Sequence, residues 1–156
     1  LPGLNLKTSL GYTSMNVNEI VTNPLSSYSP EVISWGVTGS SNFGDSYINT
    51  WIAEPQLDYT RDIGDGILTA LIGGTFQENV QSGKTIEAGG YTNDAFLENI
   101  DAATTINITD ASYSQYRYAA LFARLNYAWK KRYIINLTGR RDGSSRFGPG
   151  NRFANF

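Results

Sequence analysis

Residues able to do chemistry are few in this chain and fall into three groups. The densest is Asp142-Gly-Ser-Ser-Arg146, followed by Phe147. A carboxylate beside a Gly-Ser-Ser turn can accept backbone amides, and Arg146 can pair with it. That arrangement suits a ligand contact, or a structural corner fixing where a loop leaves a strand, and such turns are usually local architecture. The second group is Glu54 and Asp58, which share a face as the paired carboxylates of a glycosidase would. On a strand, positions i and i+4 lie ~13 Å apart, beyond the separation of either hydrolytic geometry. The third group is aromatic. Tyr28, Trp35 and Phe43 lie in a polar stretch and offer rings to sugar faces or peptide side chains, though they equally suit holding a loop together or touching a lid protein. No residue is assigned a catalytic role.

Composition removes further classes. The 156 residues include no Cys and no His, so a disulfide framework, a thiolate metal site, a catalytic thiol and a histidine base are all absent. Neither a metal nor a cofactor is expected. Twelve basic against 14 acidic residues give a net charge of -2, with no basic stripe for nucleic acid. Ten Tyr, seven Phe, three Trp and 16 Gly favour a pleated surface with turns and bulges. Mean hydropathy is -0.30, and no stretch approaches the ~18 consecutive apolar residues of a membrane helix. A transmembrane barrel remains open, because lipid-facing and lumen-facing residues alternate and average out. The chain opens Leu-Pro-Gly-Leu and closes on Asn155-Phe156 inside an expected strand, so both ends read as cuts through a longer protein.

Hydrophobic alternation predicts strands over about 4–17, 47–61, 67–78, 116–129, 133–142 and 152–156. The fourth is the clearest: Leu121, Ala123, Leu125, Tyr127 and Trp129 alternate with Phe122, Arg124, Asn126 and Ala128. In the fifth, Tyr133, Ile135 and Leu137 alternate with Asn136, Thr138 and Arg140. Polar residues of these faces could meet a solute or simply be hydrated. Pro55 inside the second strand suggests an edge or a bulge. Between the strands, 18–46, 79–115 and 143–151 read as loops, and 62–66 and 130–132 as tight turns. The second loop has room for one short helix capped by Asn93 or Asp94, with Phe96, Leu97 and Ile100 on its apolar face.

Consecutive antiparallel strands place every second connection at the same end of the sheet. All the short connections therefore gather at one rim and the long ones at the other, as in outer-membrane barrels with tight periplasmic turns and extended extracellular loops. Tyr59, Tyr127, Trp129 and Tyr133 flank the short turns; Tyr12 and Tyr47 lie at the opposite strand ends. Rings at both margins with aliphatic residues between describe two aromatic girdles. The expected architecture is all-β: an antiparallel meander of about five to six strands within a transmembrane barrel. The alternative is a secreted β-sandwich, a carbohydrate-binding or adhesion module.

The stretch from Phe122 to Gly148, continuing to Asn151-Arg152 and Phe156, resembles the SusC/RagA family of TonB-linked outer-membrane proteins. The resemblance rests on Arg124-Leu-Asn126-Tyr127, a tight turn ending in Arg132-Tyr133, a second strand, and Arg141-Asp142-Gly143-Ser144-Ser145-Arg146-Phe147-Gly148. Leu68 to Gln77 is similar to the family's strand of this region, in order and spacing. Ala123, Arg132 and Asp65-Gly66 depart from the usual pattern, which bears on the subfamily. The resemblance implies a barrel of about twenty-two strands with an N-terminal plug outside this stretch. It also implies a bacterial outer-membrane location and import of oligosaccharides or peptides. Its partners would be a SusD-like surface lipoprotein, outer-membrane lipid, and a TonB-ExbB-ExbD complex engaged through other parts of the protein. The motif residues are then structural, and the chain is no enzyme.

Overall fold

The structure is a computed structural model that describes residues 1–148, 150 and 152–156. Its strands are β1 (Leu4–Asn23), β2 (Gly39–Ile63), β3 (Gly66–Tyr91), β4 (Thr105–Trp129), β5 (Tyr133–Ser144) and β6 (Phe153–Asn155). They form one antiparallel sheet in the order β1-β2-β3-β4-β5-β6. A sandwich needs two sheets packed face to face, so that alternative does not describe this chain.

Strand pairing fixes which side chains share a face. In the β4–β5 register Trp129 lies opposite Tyr133, Tyr127 opposite Ile135, and Leu125 opposite Leu137. Between them fall Asn126 opposite Asn136, Arg124 opposite Thr138, and Phe122 opposite Arg140. One face is therefore aliphatic and aromatic, the other polar. The same division continues across β2 and β3. On the polar face Thr75 Oγ1 donates to Glu54 Oε1 (3.3 Å) and Asn79 Nδ2 to Thr50 Oγ1 (2.6 Å).

The turn at 130–132 is set by the backbone. Lys130 and Lys131 both have positive φ, 49° and 53°. Arg132 N donates to Trp129 O at 3.0 Å, closing a left-handed bend around Lys130 and Lys131 within the three-residue connection. It brings the Trp129 and Tyr133 rings to a centroid distance of 5.8 Å. At the neighbouring connection, 64–65, Tyr127 OH donates to Ile63 O at 3.0 Å.

Several expectations need correcting. Strand runs on through about half of 18–46 and most of 79–115: β1 extends to Asn23, β2 begins at Gly39, β3 extends to Tyr91 and β4 begins at Thr105. Tyr12 and Tyr47 are accordingly inside strands and not at their ends. Segments such as 80–91 and 105–114 are polar on both faces yet rich in β-branched residues, and each has a neighbouring strand to satisfy its backbone. The third connection is shorter than 143–151 as well, since β5 runs to Ser144, while Pro149 and Asn151 lie outside the described residues. Within 24–38 a 3-10 turn (Leu25–Ser27) and a short helix, α1 (Pro30–Ser34), stand where only loop was expected. The single helix expected after Asn93 is instead two 3-10 turns, Asp94–Phe96 and Ile100–Ala102. Asn93 caps the first by accepting from Ala95 N, and Asn99 caps the second by accepting from Asp101 N. A second Asx cap six residues after the first restarts the chain before a full α-turn propagates. Pro55 lies in β2, flanked by β1 and β3, so it marks no edge.

Contacts divide the chain into two compact units, Leu1–Thr13 with Asn49–Asn79 and Gln115–Phe156, and Ser14–Ile48 with Val80–Ser114. The second holds a small core. Ala88, Tyr91 and Leu97 are buried, and Phe43, Ile100 and Ala103 pack against them.

Candidate functional site

Two clusters carry the polar chemistry, one in each unit. In the second unit, Asp94 ties two connections together. Its Oδ1 accepts the Leu25 amide at 2.6 Å and its Oδ2 the Ser26 amide at 3.0 Å, so one carboxylate seats the first 3-10 turn. Nearby, the buried Ser41 hydroxyl donates to Leu97 O (2.6 Å) and Tyr91 OH to Asn99 O (3.1 Å). The first satisfies a carbonyl that its 3-10 turn leaves over, and the second adds to Asn99 O, which also accepts the Ala102 amide. The Asp94 carboxyl is held below the usual carboxylate range, chiefly by a hydrogen bond with the Ser26 side chain and then by the Ser26 and Leu25 amides, against partial burial.

A folded-state pKa below the unfolded value stabilises at pH above the unfolded Asp range, and the contribution fades as pH falls through the depressed value. The tie is therefore expected to persist at about pH 5. Asp94→Ala should abolish it at any pH. Hydrogen exchange in the folded protein should show the Leu25 and Ser26 amides losing protection in Asp94→Ala while residues 66–79 stay unchanged. Equal protection in both proteins would refute the role of this carboxylate.

The aromatic candidates separate on inspection. Trp35 caps α1 and is 78% exposed; Tyr28, at the end of the first 3-10 turn, is partly exposed. Phe43 belongs to β2 and packs against the Ala88–Tyr91–Leu97 core, so it holds the unit together and offers no free ring. That corrects its place among the stacking candidates. Sequence had no means of pairing Phe43 with a core assembled from residues about fifty positions later.

In the first unit, the motif residues bond to one another and to β4. Asp142 pairs with Arg140 (Nε to Oδ1, 2.7 Å) and not with Arg146, because positions 140 and 142 share one face of β5. Arg140 also donates through Nη2 to Tyr118 OH (2.7 Å), with its guanidinium 5.9 Å from the Phe122 ring centroid. The turn is made by the serines. Ser144 Oγ accepts the Arg146 amide (3.2 Å), and Ser145 exchanges two bonds with the Arg117 backbone, its Oγ accepting at 3.0 Å and its amide donating at 2.9 Å. The Arg146 guanidinium lies 4.5 Å from the Tyr116 ring centroid, a cation–π contact. On the polar face Asn126 Nδ2 donates to Asn136 Oδ1, and Lys7 pairs with Asp58 at 3.1 Å, while Arg124 follows at the same level as Thr138.

Glu78 was not singled out from sequence. It accepts from Trp51 Nε1 (2.9 Å), Gln115 Nε2 (2.7 Å) and Arg117 Nε (2.6 Å). All four belong to the face that is otherwise apolar. The available signal was a carboxylate in the parity of Leu68, Ala70, Ile72 and Phe76.

No family model matches the chain. Comparison with curated proteins finds TonB-dependent receptor P26 of Formosa agariphila, 37% identical over 131 residues, which is 82% of this chain and 13% of the receptor. TonB-dependent receptor P3 of the same organism is 27% identical over 159 residues, covering 100% of this chain and 15% of the receptor. The chain thus spans about a seventh of the length of these curated relatives. Among solved structures, the RagAB peptide transporter superimposes with a TM-score of 0.81 at 25% identity, covering 99% of this chain and 17% of the transporter chain. The RagAB peptide importer in its closed-closed state gives 0.80 at 23% identity, with the same coverage.

Proposed function

Because this chain belongs to the SusC/RagA-type TonB-dependent receptors, we propose that it builds part of the wall and outer rim of an outer-membrane importer of oligosaccharides or peptides. One observation carries this reading. From Trp129 and Tyr133 to Arg117 and Arg141, the aliphatic face of β4 and β5 holds no charge, while the opposite face carries Arg124, Asn126, Asn136 and Arg140. Such a sheet is stable with hydrocarbon on one side and water on the other.

In this orientation the connections at 64–65 and 130–132 face the periplasm, and those at 24–38, 92–104 and beyond Ser144 face outward. Trp129, Tyr133 and Tyr127 make the inner girdle. The polar face lines the lumen, where solute passes or a plug packs. The outer rim, held rigid by Asp94 and the Tyr91 core, presents exposed Trp35 and Phe96 towards a SusD-like lipoprotein. The full receptor takes its energy from a TonB-ExbB-ExbD complex through segments outside this chain, and its role is conduction without catalysis. That the matched RagAB proteins are peptide transporters supports the peptide alternative for the solute.

The test is fractionation of the full-length receptor. It should stay with the outer membrane through carbonate washing, require detergent for extraction, and migrate faster on a gel unheated than boiled. Recovery as a soluble periplasmic monomer would overturn the proposal.

A further inference from the structure

We infer that the lipid-facing side of this wall carries a binding site for the phosphate head of an anionic outer-leaflet glycolipid, built from Arg117 and Arg141 around Phe153. The inference rests on the membrane orientation proposed above and goes beyond solute import.

Depth comes first. Glu78 is 12 positions along β3 from Gly66, and Arg117 is 12 positions along β4 from Trp129. With a strand rise of ~3.3 Å and a tilt of ~40°, twelve residues climb about 30 Å, just past an apolar band ~25 Å tall. Arg141, opposite Leu121, lies about 20 Å up by the same reckoning, within a side chain's reach of the upper boundary. These are the first charges met on this face above the inner girdle.

Charge follows. Glu78 is the one carboxylate in the group, and Arg117 already neutralises it. Arg141 has no carboxylate within ion-pair range among the described residues. A guanidinium at the edge of hydrocarbon without a counter-charge is costly, and a phosphate supplies two acceptors matched to its fork. The surroundings already take a lipid's shape. A groove of about 500 Å³ is lined by Trp51, Phe76, Arg117, Arg152 and Phe153 among others. The Phe153 ring covers Gly143, where a Cβ would meet it at 2.7 Å, and the Arg141 guanidinium sits 4.8 Å from the ring centroid. Rings and aliphatic side chains can hold acyl chain below while cations hold phosphate above. The occupant is a lipid and not a protein strand, because both neighbours of β5 are already in the sheet.

The experiment reconstitutes the full-length receptor into phosphatidylcholine nanodiscs doped with bisphosphorylated lipid A or with its dephosphorylated form. Bound glycolipid per receptor is counted by native mass spectrometry. The wild type should retain the phosphorylated form preferentially. Arg141→Gln and Arg117→Gln should each weaken retention about fivefold, the effect expected of one basic residue at an anionic surface. Arg124→Gln, which removes the same charge from the lumen face, should leave retention unchanged. Equal retention of both glycolipids, equal losses in all three variants, or displacement by millimolar inorganic phosphate alone would overturn the lipid site while leaving the wall intact. Failure of the receptor to insert would overturn the membrane orientation and this site with it.

Discussion

Ala123→Arg in the full-length receptor is expected to cost about 2–4 kcal/mol of stability in a bilayer, the cost of an arginine on the lipid face near the midplane. The neighbouring residue makes this comparison unusually clean. Arg124 is already an arginine, one position along the same strand and at the same depth, and the wild-type chain tolerates it. Ala123 shares a face with Leu121, Leu125 and Tyr127 and lies opposite Gly139, whereas Arg124 lies opposite Thr138 on the polar face. A Cβ at Gly139 would meet nothing within 4 Å, so the new side chain has space and the penalty is electrostatic, not steric. Arg124→Ala removes a charge from water and should stay within ~0.5 kcal/mol of wild type. Urea titration of the receptor folded in lipid vesicles reads both values. Two equal effects would mean that the faces do not see different solvents. A second version measures outer-membrane abundance, where a loss of 2–4 kcal/mol should deplete Ala123→Arg strongly and leave Arg124→Ala near wild type.

The same alternation explains what could be read from sequence. In β4 and β5, period-two patterning runs without interruption from Leu121 to Leu137 through a turn of three residues, and the observed register pairs the expected faces. The motif from Arg141 to Phe147 was recognisable because its residue types must serve one turn. The extent of β1 to β4 was not legible. In 80–91 and 105–114 neither face is apolar, so the cue separating strand from loop vanishes, and only a partner strand reveals that the backbone is paired. Arg140 and Asp142 share parity and both lie within the expected strand 133–142, so their ion pair was within reach of the sequence. The Asp94 tie was not. It joins positions 68 and 69 apart, between connections with no regular spacing. Phe43 illustrates the same gap, since an aromatic residue in a polar stretch has the same appearance whether it faces a ligand or a core.

The clusters divide the labour of the wall. On the lumen face, side chains bond across strands: Thr75 to Glu54, Asn79 to Thr50, Asn126 to Asn136. Each such pair satisfies groups that water would otherwise compete for, and together they stiffen a sheet whose other face gains nothing from polar contact. On the apolar face Tyr12 bonds to Asn49, and the denser group is the one around Glu78, placed where the apolar band ends. A polar network is tolerable there because water and head groups are available to its unpaired atoms.

Gly90→Val should disrupt the outer rim while leaving the membrane band intact, and it is the sharpest test that the two are held by different forces. Gly90 has φ +81°, a conformation costing a residue with a Cβ about 1–2 kcal/mol and more for a β-branched one. A Cβ there would also lie 2.5 Å from Thr104 Cβ and 2.8 Å from its Oγ1, so overpacking adds about 1–3 kcal/mol. Thr104 cannot withdraw freely: its amide donates to Gly89 O at 2.9 Å and its hydroxyl to Gly90 O at 3.0 Å, closing the connection between β3 and β4. Ala88 and Tyr91 of the buried core lie two residues before Gly90 and one after it, so movement there should loosen Asp94 and its hold on Leu25 and Ser26. Hydrogen exchange of the folded receptor should therefore show lost protection across 24–38 and 88–104 in Gly90→Val. The span 66–79 should exchange as in wild type, because hydrocarbon and cross-strand bonds hold it without help from the rim. Outer-membrane abundance should fall much less than in Ala123→Arg. Uniform loss of protection along all six strands would mean that the rim and the band fold as a single cooperative unit, and the division of forces argued from Asp94 and Glu78 would fail.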